Sequence, residues 1–276
     1  MRFVLALVFM FTLGNIIAQP DLHDIITQAI EYKTVDSINL HLHCYRPADF
    51  DSINSYNAIL FFHGGGWNEG YHTAFKRQCV YFSTRGLITF SAEYRVRNRH
   101  GTTPFEATED AHDAFQFLID HHKELKINRE KIVVAGGSAG GQLAASTSFW
   151  NADKVLPFAQ ILFNPVLDTG PGGFANDRME GRYLELSPID NLKPTHGSTL
   201  IMVGTEDYVL PVDQAKDYKS RLEKQGVRCD VIFYEGEKHT FFNKKPYFEE
   251  TLIETDLFLS GLGILDSSPT LKSLLK

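Results

Sequence analysis

The chain has 276 residues, of which 43% are hydrophobic and 22% charged, with a formal net charge of −7. These proportions are those of a soluble globular protein and exclude wholesale disorder. The mild acidity gives no electrostatic case for a nucleic-acid partner.

Residues 1–18 read as a cleavable leader: Met1-Arg2, an apolar stretch from Phe3 to Leu13, then Ala18 before Gln19. The stretch is shorter than the ~20 residues a bilayer span requires, so no membrane span is expected in the mature chain. With no Cys at the junction, a secreted or periplasmic protein without a lipid anchor is expected. Residues 19–276 suit one α/β domain with ample core. Cys44, Cys79 and Cys229 are odd in number and lack CxxC spacing. They indicate neither a disulfide framework nor a zinc cage, and read as buried thiols with at most one bridge among them.

Residues 19–30 are expected to precede the first strand pair. Leu40, Leu42 and Cys44 alternate with His41, His43 and Tyr45 after an Asp36-Ser37 turn, which predicts a half-buried strand in an antiparallel edge pair. His41 and His43 would share one side of it, and His23 and Asp24 could join them around a metal. Without an HExxH pattern, polar surface is the favoured reading and no metal or cofactor is expected. Short apolar runs at 58–62, 87–91, 131–135, 160–163, 199–203 and 230–234 read as buried parallel strands. Helical periodicity fills the gaps: Ala111, Phe115 and Leu118 within 105–121, and Val212, Ala215, Tyr218 and Leu222 in a helix that ends near Gly226. His121 and His122 close the first of these, where positive charge suits the helix dipole. Strands alternating with helices predict a mostly parallel central sheet with helices on both faces.

The strand 58–62 runs into His63-Gly64-Gly65-Gly66-Trp67. Bare glycine backbone there can aim N–H groups at a developing oxyanion, and Gly65 and Gly66 are the candidate donors. The strand 131–135 runs into Gly136-Gly137-Ser138-Ala139-Gly140, and Gln142-Leu143-Ala144-Ala145 continues as helix. That is G-x-S-x-G in its strand–turn–helix setting, with Ser138 as candidate nucleophile and the Ala139 N–H as the third oxyanion donor. A serine needs a base held by a third group. The required order, Ser then acid then His, is met by Asp207, after the strand 199–203, and His239, after the strand 230–234. Glu206 is the alternative acid, while Asp213 reads as a first-turn complement to its helix dipole.

Residues 164–198, rich in Gly, Pro and Asp and without sustained periodicity, read as a substrate-side loop or lid. Asp168, Asn176, Asp177, Arg178, Glu180 and Arg182 could hydrogen-bond sugar hydroxyls there. Trp67, Tyr71, Phe174, Tyr183, Tyr208, Phe241 and Phe242 could either stack on a sugar or simply pack. The tail beyond Gly261, with Leu262, Ile264, Leu265, Leu271, Leu274 and Leu275, could fold back on the body.

His63-Gly64-Gly65-Gly66, Gly136-Gly137-Ser138-Ala139-Gly140-Gly141, Asp207 and His239 together resemble the hormone-sensitive-lipase-like branch of the α/β-hydrolase esterases. The resemblance runs from about residue 30 to residue 260. Glu93-Tyr94-Arg95 is similar to a structural element of that branch, and Asn164 to Gly173 to a stretch of bacterial secreted esterases that remove acetyl or feruloyl groups from polysaccharides. The resemblance implies the α/β-hydrolase fold and a carboxylic ester hydrolase with an acyl-enzyme intermediate, acting on short acyl, chiefly acetyl, groups of carbohydrate esters. Feruloyl esters are the alternative. The helical cap that many relatives carry before the glycine loop has no counterpart here, which favours an open site. Three rival readings are a catalytically dead binding protein, a peptidase of the prolyl-oligopeptidase type, and a transacylase. The intact set of Ser138, Asp207 and His239 argues against the first, and the triple glycine against the second.

Overall fold

The computed structural model describes residues 25–149 and 155–266. The expected leader, His23, Asp24 and the end of the tail with Leu271, Leu274 and Leu275 lie outside them.

The strands are β1 (Ile26–Val35), β2 (Ile38–Arg46), β3 (Tyr56–Phe62), β4 (Ile88–Ala92), β5 (Ile127–Gly137), β6 (Ala159–Phe163), β7 (Ser198–Gly204) and β8 (Cys229–Tyr234). They form one sheet in the order β1-β2-β4-β3-β5-β6-β7-β8. β1 pairs with β2 and β2 with β4 antiparallel, and every pair from β4 to β8 is parallel. The helical segments are α1 (Lys76–Thr84), α2 (Arg97–His100), α3 (Pro104–Asp120), α4 (His122–Leu125), α5 (Ala139–Ser146), α6 (Val212–Lys224) and α7 (Tyr247–Gly261). None of the helices among the described residues is long and apolar enough to cross a membrane.

Period-two alternation splits the core into two layers. Ala58, Leu60 and Phe62 face the layer that Ala111 of α3, Leu143 of α5 and Tyr218 of α6 complete. Ile59 and Phe61 face the layer built with Phe82 of α1 and Leu252 and Phe258 of α7. The parallel register sets Phe62 opposite Gly136. The loop after β3 and the turn after β5 therefore leave the sheet side by side at its carboxyl edge, where an open α/β sheet gathers its chemistry.

One expectation changes. The first strand starts at Ile26, inside the segment reserved as preceding it. β1 is an edge strand with exposed residues at 26–29, so it lacks the apolar run that marks its neighbours. Residues 164–198 form a packed loop with three short 3₁₀ turns, Asn176–Arg178, Tyr183–Glu185 and Pro188–Asp190. Val166, Leu167, Met179 and Leu186 from it are fully buried, and the Gln142 side-chain amide of α5 donates to the Leu186 carbonyl at 2.9 Å. The cysteines are three buried free thiols, and Ile264 and Leu265 of the tail pack into the core.

His196 in this loop and His63 after β3 are both buried. Burial lowers each from 6.5 to about 4. Between pH 6.5 and 4 the unfolded chain therefore binds more protons than the native one, and native stability is lost as pH falls through that window. The melting temperature is expected to drop across it, and His196→Asn to flatten the slope. An unchanged slope in the variant would contradict this.

Candidate active site

Ser138 sits at φ 55°, ψ −122°, a backbone conformation that costs a non-glycine residue of order 1–3 kcal/mol and survives only where the surroundings impose it. Those surroundings are the glycines. A Cβ on Gly136 would lie 2.1 Å from the Gly140 carbonyl oxygen, and one on Gly140 2.2 Å from that of Phe62. The turn from β5 into α5 can close only without them. The Ser138 N–H donates to the Phe163 carbonyl at 3.0 Å, and the Ser138 carbonyl accepts from Gly141, Gln142 and Val166. Ala139 opens α5, so its N–H has no intrahelical acceptor.

The side chains of the predicted set meet. His239 Nε2 lies 2.9 Å from Ser138 Oγ, and His239 Nδ1 lies 3.0 and 2.9 Å from the two Asp207 oxygens. Asp207 Oδ1 also accepts the backbone N–H groups of Val209 and Leu210 at 2.7 and 3.2 Å, which holds the carboxylate against the imidazole. This assigns the Nδ1 proton toward Asp207 and leaves the Nε2 lone pair for the Ser138 hydroxyl. Glu206 points elsewhere: its side chain is 57% exposed and 3.9 Å from Lys238 Nζ. A further residue meets the site that was not among the candidates: Asn164 is fully buried, and its amide nitrogen lies 3.3 and 3.4 Å from the two His239 ring nitrogens. A position so nearly equidistant places the amide over the ring face and limits how the imidazole can tilt.

The carbonyl of each glycine-loop peptide is pinned, and each N–H is thereby aimed the opposite way. His63 Nδ1 lies 2.7 Å from the Gly64 carbonyl, which orients the Gly65 N–H. The Gly65 carbonyl accepts from Asn68 and Glu69 N–H at 3.0 and 3.2 Å, which orients the Gly66 N–H. Gly65 itself has φ 120° and no room for a Cβ, the Glu69 carbonyl oxygen being 2.1 Å away. Tyr94 hydroxyl donates to the His63 carbonyl at 2.7 Å, and its ring stacks on the His63 imidazole at 4.1 Å. From the packed loop, Arg178 donates to the Gly66 carbonyl at 2.7 Å and to Asn68 Oδ1 at 3.0 Å.

A cavity of about 340 Å³ opens over Ser138 and His239, bordered by Gly64, Gly65, Gly66, Phe75, Phe174 and Phe242, among others. Phe75, Phe163 and Phe242 pack with ring centroids 4.9–5.9 Å apart. A Cβ on Gly137 would reach Phe242 Cζ at 2.9 Å, so this aromatic wall stands directly beside the Ser138 backbone. Tyr208, 74% exposed, forms part of the rim. Trp67 and Phe241 are core residues, and Trp67 donates to Gln142 Oε1 at 3.1 Å. None of the six polar loop residues singled out in the sequence lines this cavity. Asp177, Arg178 and Glu180 instead border a neighbouring groove of about 300 Å³ with Trp67, Asn68 and Thr102. Asp168 is held by the Gly170 N–H and Gln214, Asn176 by the Thr169 carbonyl, and Arg182 by Glu185.

The Glu93-Tyr94-Arg95 element supports the site from behind. Arg95 makes a bidentate pair with the fully buried Asp110, which Lys33 of β1 also reaches at 2.8 Å. His121 and His122 each place Nδ1 on a carbonyl of the preceding helix, at 3.0 and 2.8 Å.

A nucleophile elbow at the switch between β3 and β5, with an acid after β7 and a histidine after β8, is the arrangement of an α/β hydrolase. Comparison with known proteins agrees. The BD-FAE family model matches residues 42–168, and that of the prolyl oligopeptidase family residues 165–263. A thermophilic esterase of Thermogutta terrifontis, solved with propionate and with butyrate bound, is similar over nearly its whole length. The propionate complex is 32% identical, with a TM-score of 0.83, covering 91% of this chain and 98% of that one. Ethyl acetate hydrolase of Pseudomonas putida is 24% identical across 80% of this chain and 77% of its own. Acetylxylan esterase of Xylanibacter ruminicola is 25% identical across 72% of this chain, which spans 43% of that longer protein. The chain belongs to the α/β-hydrolase superfamily, in its hormone-sensitive-lipase-like esterase branch, and is a serine carboxylesterase.

Proposed function

We propose that Ser138, His239 and Asp207 hydrolyse short-chain, chiefly acetyl, esters of carbohydrate alcohols through an acyl-enzyme. Ser138 Oγ attacks the ester carbonyl carbon while its proton passes to His239 Nε2. Asp207 holds the imidazole in the receptive tautomer and stabilises the imidazolium that forms. The carbonyl oxygen, now an oxyanion, is met by the N–H groups of Gly65, Gly66 and Ala139, each such donor contributing about 3 kcal/mol of transition-state stabilisation. Collapse breaks the C–O bond, and the leaving alkoxide takes the proton from His239. Water then attacks the acyl-enzyme, with His239 as base again, releasing the acid and restoring Ser138.

The observation that carries the short-chain assignment is the packed Phe75–Phe163–Phe242 cluster beside Gly137, of which Phe75 and Phe242 border the cavity over Ser138 and favour a short acyl group there. The names of two relatives, ethyl acetate hydrolase and acetylxylan esterase, both specify acetyl esters. The polar groove at Asn68, Thr102, Asp177 and Glu180 offers the alcohol side hydrogen-bonding groups suited to sugar hydroxyls. The leader-like reading of residues 1–18 supports an activity outside the cytoplasm, where acylated polysaccharides are met.

Each CH₂ received by a fitting apolar groove adds up to about 0.8 kcal/mol, so a lipase-like site gains efficiency with chain length. Here kcat/KM is expected to be highest for acetyl to butyryl and to fall at octanoyl, measured on esters of one alcohol. A rise toward octanoyl would overturn the short-chain assignment. Acetate release from acetylated xylan tests the carbohydrate half. Ferulate release from an arabinose ester at a comparable rate would replace acetyl by feruloyl.

A further inference from the structure

Outside the cavity over Ser138, three segments distant in sequence converge. His43 comes from β2, Glu93 from the residue just after β4, and His72 from the 3₁₀ turn His72–Phe75 before α1. His43 Nε2 lies 2.9 Å and His72 Nδ1 3.3 Å from the same oxygen, Glu93 Oε1, and the donor atoms of all three lie within 4.8 Å of one another. We propose that His43, His72 and Glu93 bind one divalent transition-metal ion of the zinc class, apart from the hydrolytic centre.

The spacing is suitable. Tetrahedral ligands at about 2.0–2.1 Å from zinc stand roughly 3.3 Å from one another, close to what the two imidazole-to-carboxylate distances already are. The carboxylate is also prepared for the role. His41 holds the other oxygen, Oε2, with its backbone N–H at 3.1 Å and its ring Nδ1 at 3.2 Å, the kind of outer support that orients a ligating carboxylate and leaves Oε1 for the ion. The other two ligands are fixed at the backbone. His43 pairs with Ser91 across β2 and β4, and the His72 carbonyl accepts from Ser91 Oγ at 2.7 Å.

The His43 and His72 rings are stacked, 3.4 Å apart with planes 13° from parallel. Coordination requires one of them to swing out of the stack about χ2, a broad torsion in histidine. The side chains of all three ligands are 23–31% exposed, so an ion and a completing water have access from an adjoining cavity of about 200 Å³. Arg99, the one cation besides the histidines that lines that cavity among the described residues, is turned to the Gly70 carbonyl and the Tyr71 ring. Two imidazoles and a single carboxylate favour zinc, copper, nickel or cobalt over magnesium or calcium, which prefer all-oxygen shells. The cavity shares no lining residue with the one over Ser138, so the ion takes no part in the hydrolytic step.

The test is calorimetric titration of the untagged, chelator-stripped chain with zinc chloride at neutral pH. One ion per chain at micromolar Kd or tighter is expected, with no heat from magnesium chloride. His72→Ala and His43→Ala, checked as folded by retained ester hydrolysis, should weaken zinc binding by about 100-fold or more. His239→Ala should leave it unchanged. Absence of saturable zinc binding, binding that survives both histidine variants, or binding lost in His239→Ala would each overturn the proposal.

Discussion

Ser138→Ala is expected to lower kcat/KM for a short aryl ester by about 10⁴-fold or more without altering the fold, since losses of that order follow when a triad member is removed. Its Oγ is the hydroxyl set 2.9 Å from His239 Nε2 on the floor of the cavity, and without it no acyl-enzyme can form. The strained backbone at Ser138 is imposed by Gly136 and Gly140 rather than by the hydroxyl, so alanine can occupy the same turn. Thermal melting should be close to that of the parent. His239→Ala should cost about as much, and the double variant no more than either single one, because the two side chains act as a unit. Retention of more than about 1% of the activity in Ser138→Ala would remove Ser138 from the nucleophile's role.

Asp207→Asn is expected to lower kcat by about 10³–10⁴-fold while Glu206→Gln leaves it nearly unchanged. Asparagine preserves the shape but presents its amide to His239 Nδ1, favouring the tautomer whose Nε2 carries the proton and cannot accept one from Ser138. The substitution also removes the charge that stabilises the imidazolium. Glu206, directed to solvent and 3.9 Å from Lys238, has neither role. A larger loss in Glu206→Gln than in Asp207→Asn would transfer the acid's part to the neighbouring residue.

The sheet from β3 to β8 was legible because burial on both faces forces consecutive apolar residues. The runs expected at 160–163 and 230–234, for instance, are β6 and β8 almost to the residue. β1 was not, since an exposed edge strand carries no such constraint. The elbow could be read because its geometry demands glycine at fixed offsets from Ser138, a requirement that sequence spacing alone expresses. The choice of Asp207 over Glu206 rested on order along the chain, whereas what holds the Asp207 carboxylate against His239 is the pair of N–H groups from Val209 and Leu210. Residues 164–198 showed no sustained periodicity because their buried side chains follow 3₁₀ turns rather than a helical or strand period. The contact of Asn164 with His239 and the meeting of His43, His72 and Glu93 have no sequence signature. Each is assembled by contacts between segments far apart, and only strand order brings them together. His41 and His43 were correctly placed on one side of a strand, but the partners they meet, Glu93 and His72, lie on elements that periodicity does not connect to them.

The most direct test of the hydrolytic assignment is active-site titration with the organophosphate paraoxon, followed by intact-mass and peptide mass spectrometry. In the proposed mechanism, the His239 imidazole and the N–H groups of Gly65, Gly66 and Ala139 would drive Ser138 Oγ onto the phosphorus as they would onto an ester carbonyl. One diethylphosphoryl group per chain, confined to the peptide bearing Ser138 and accompanied by stoichiometric loss of ester hydrolysis, is the expected result. Hydrolysis that persists after full modification of Ser138, or a stoichiometric adduct on any other residue, would contradict it.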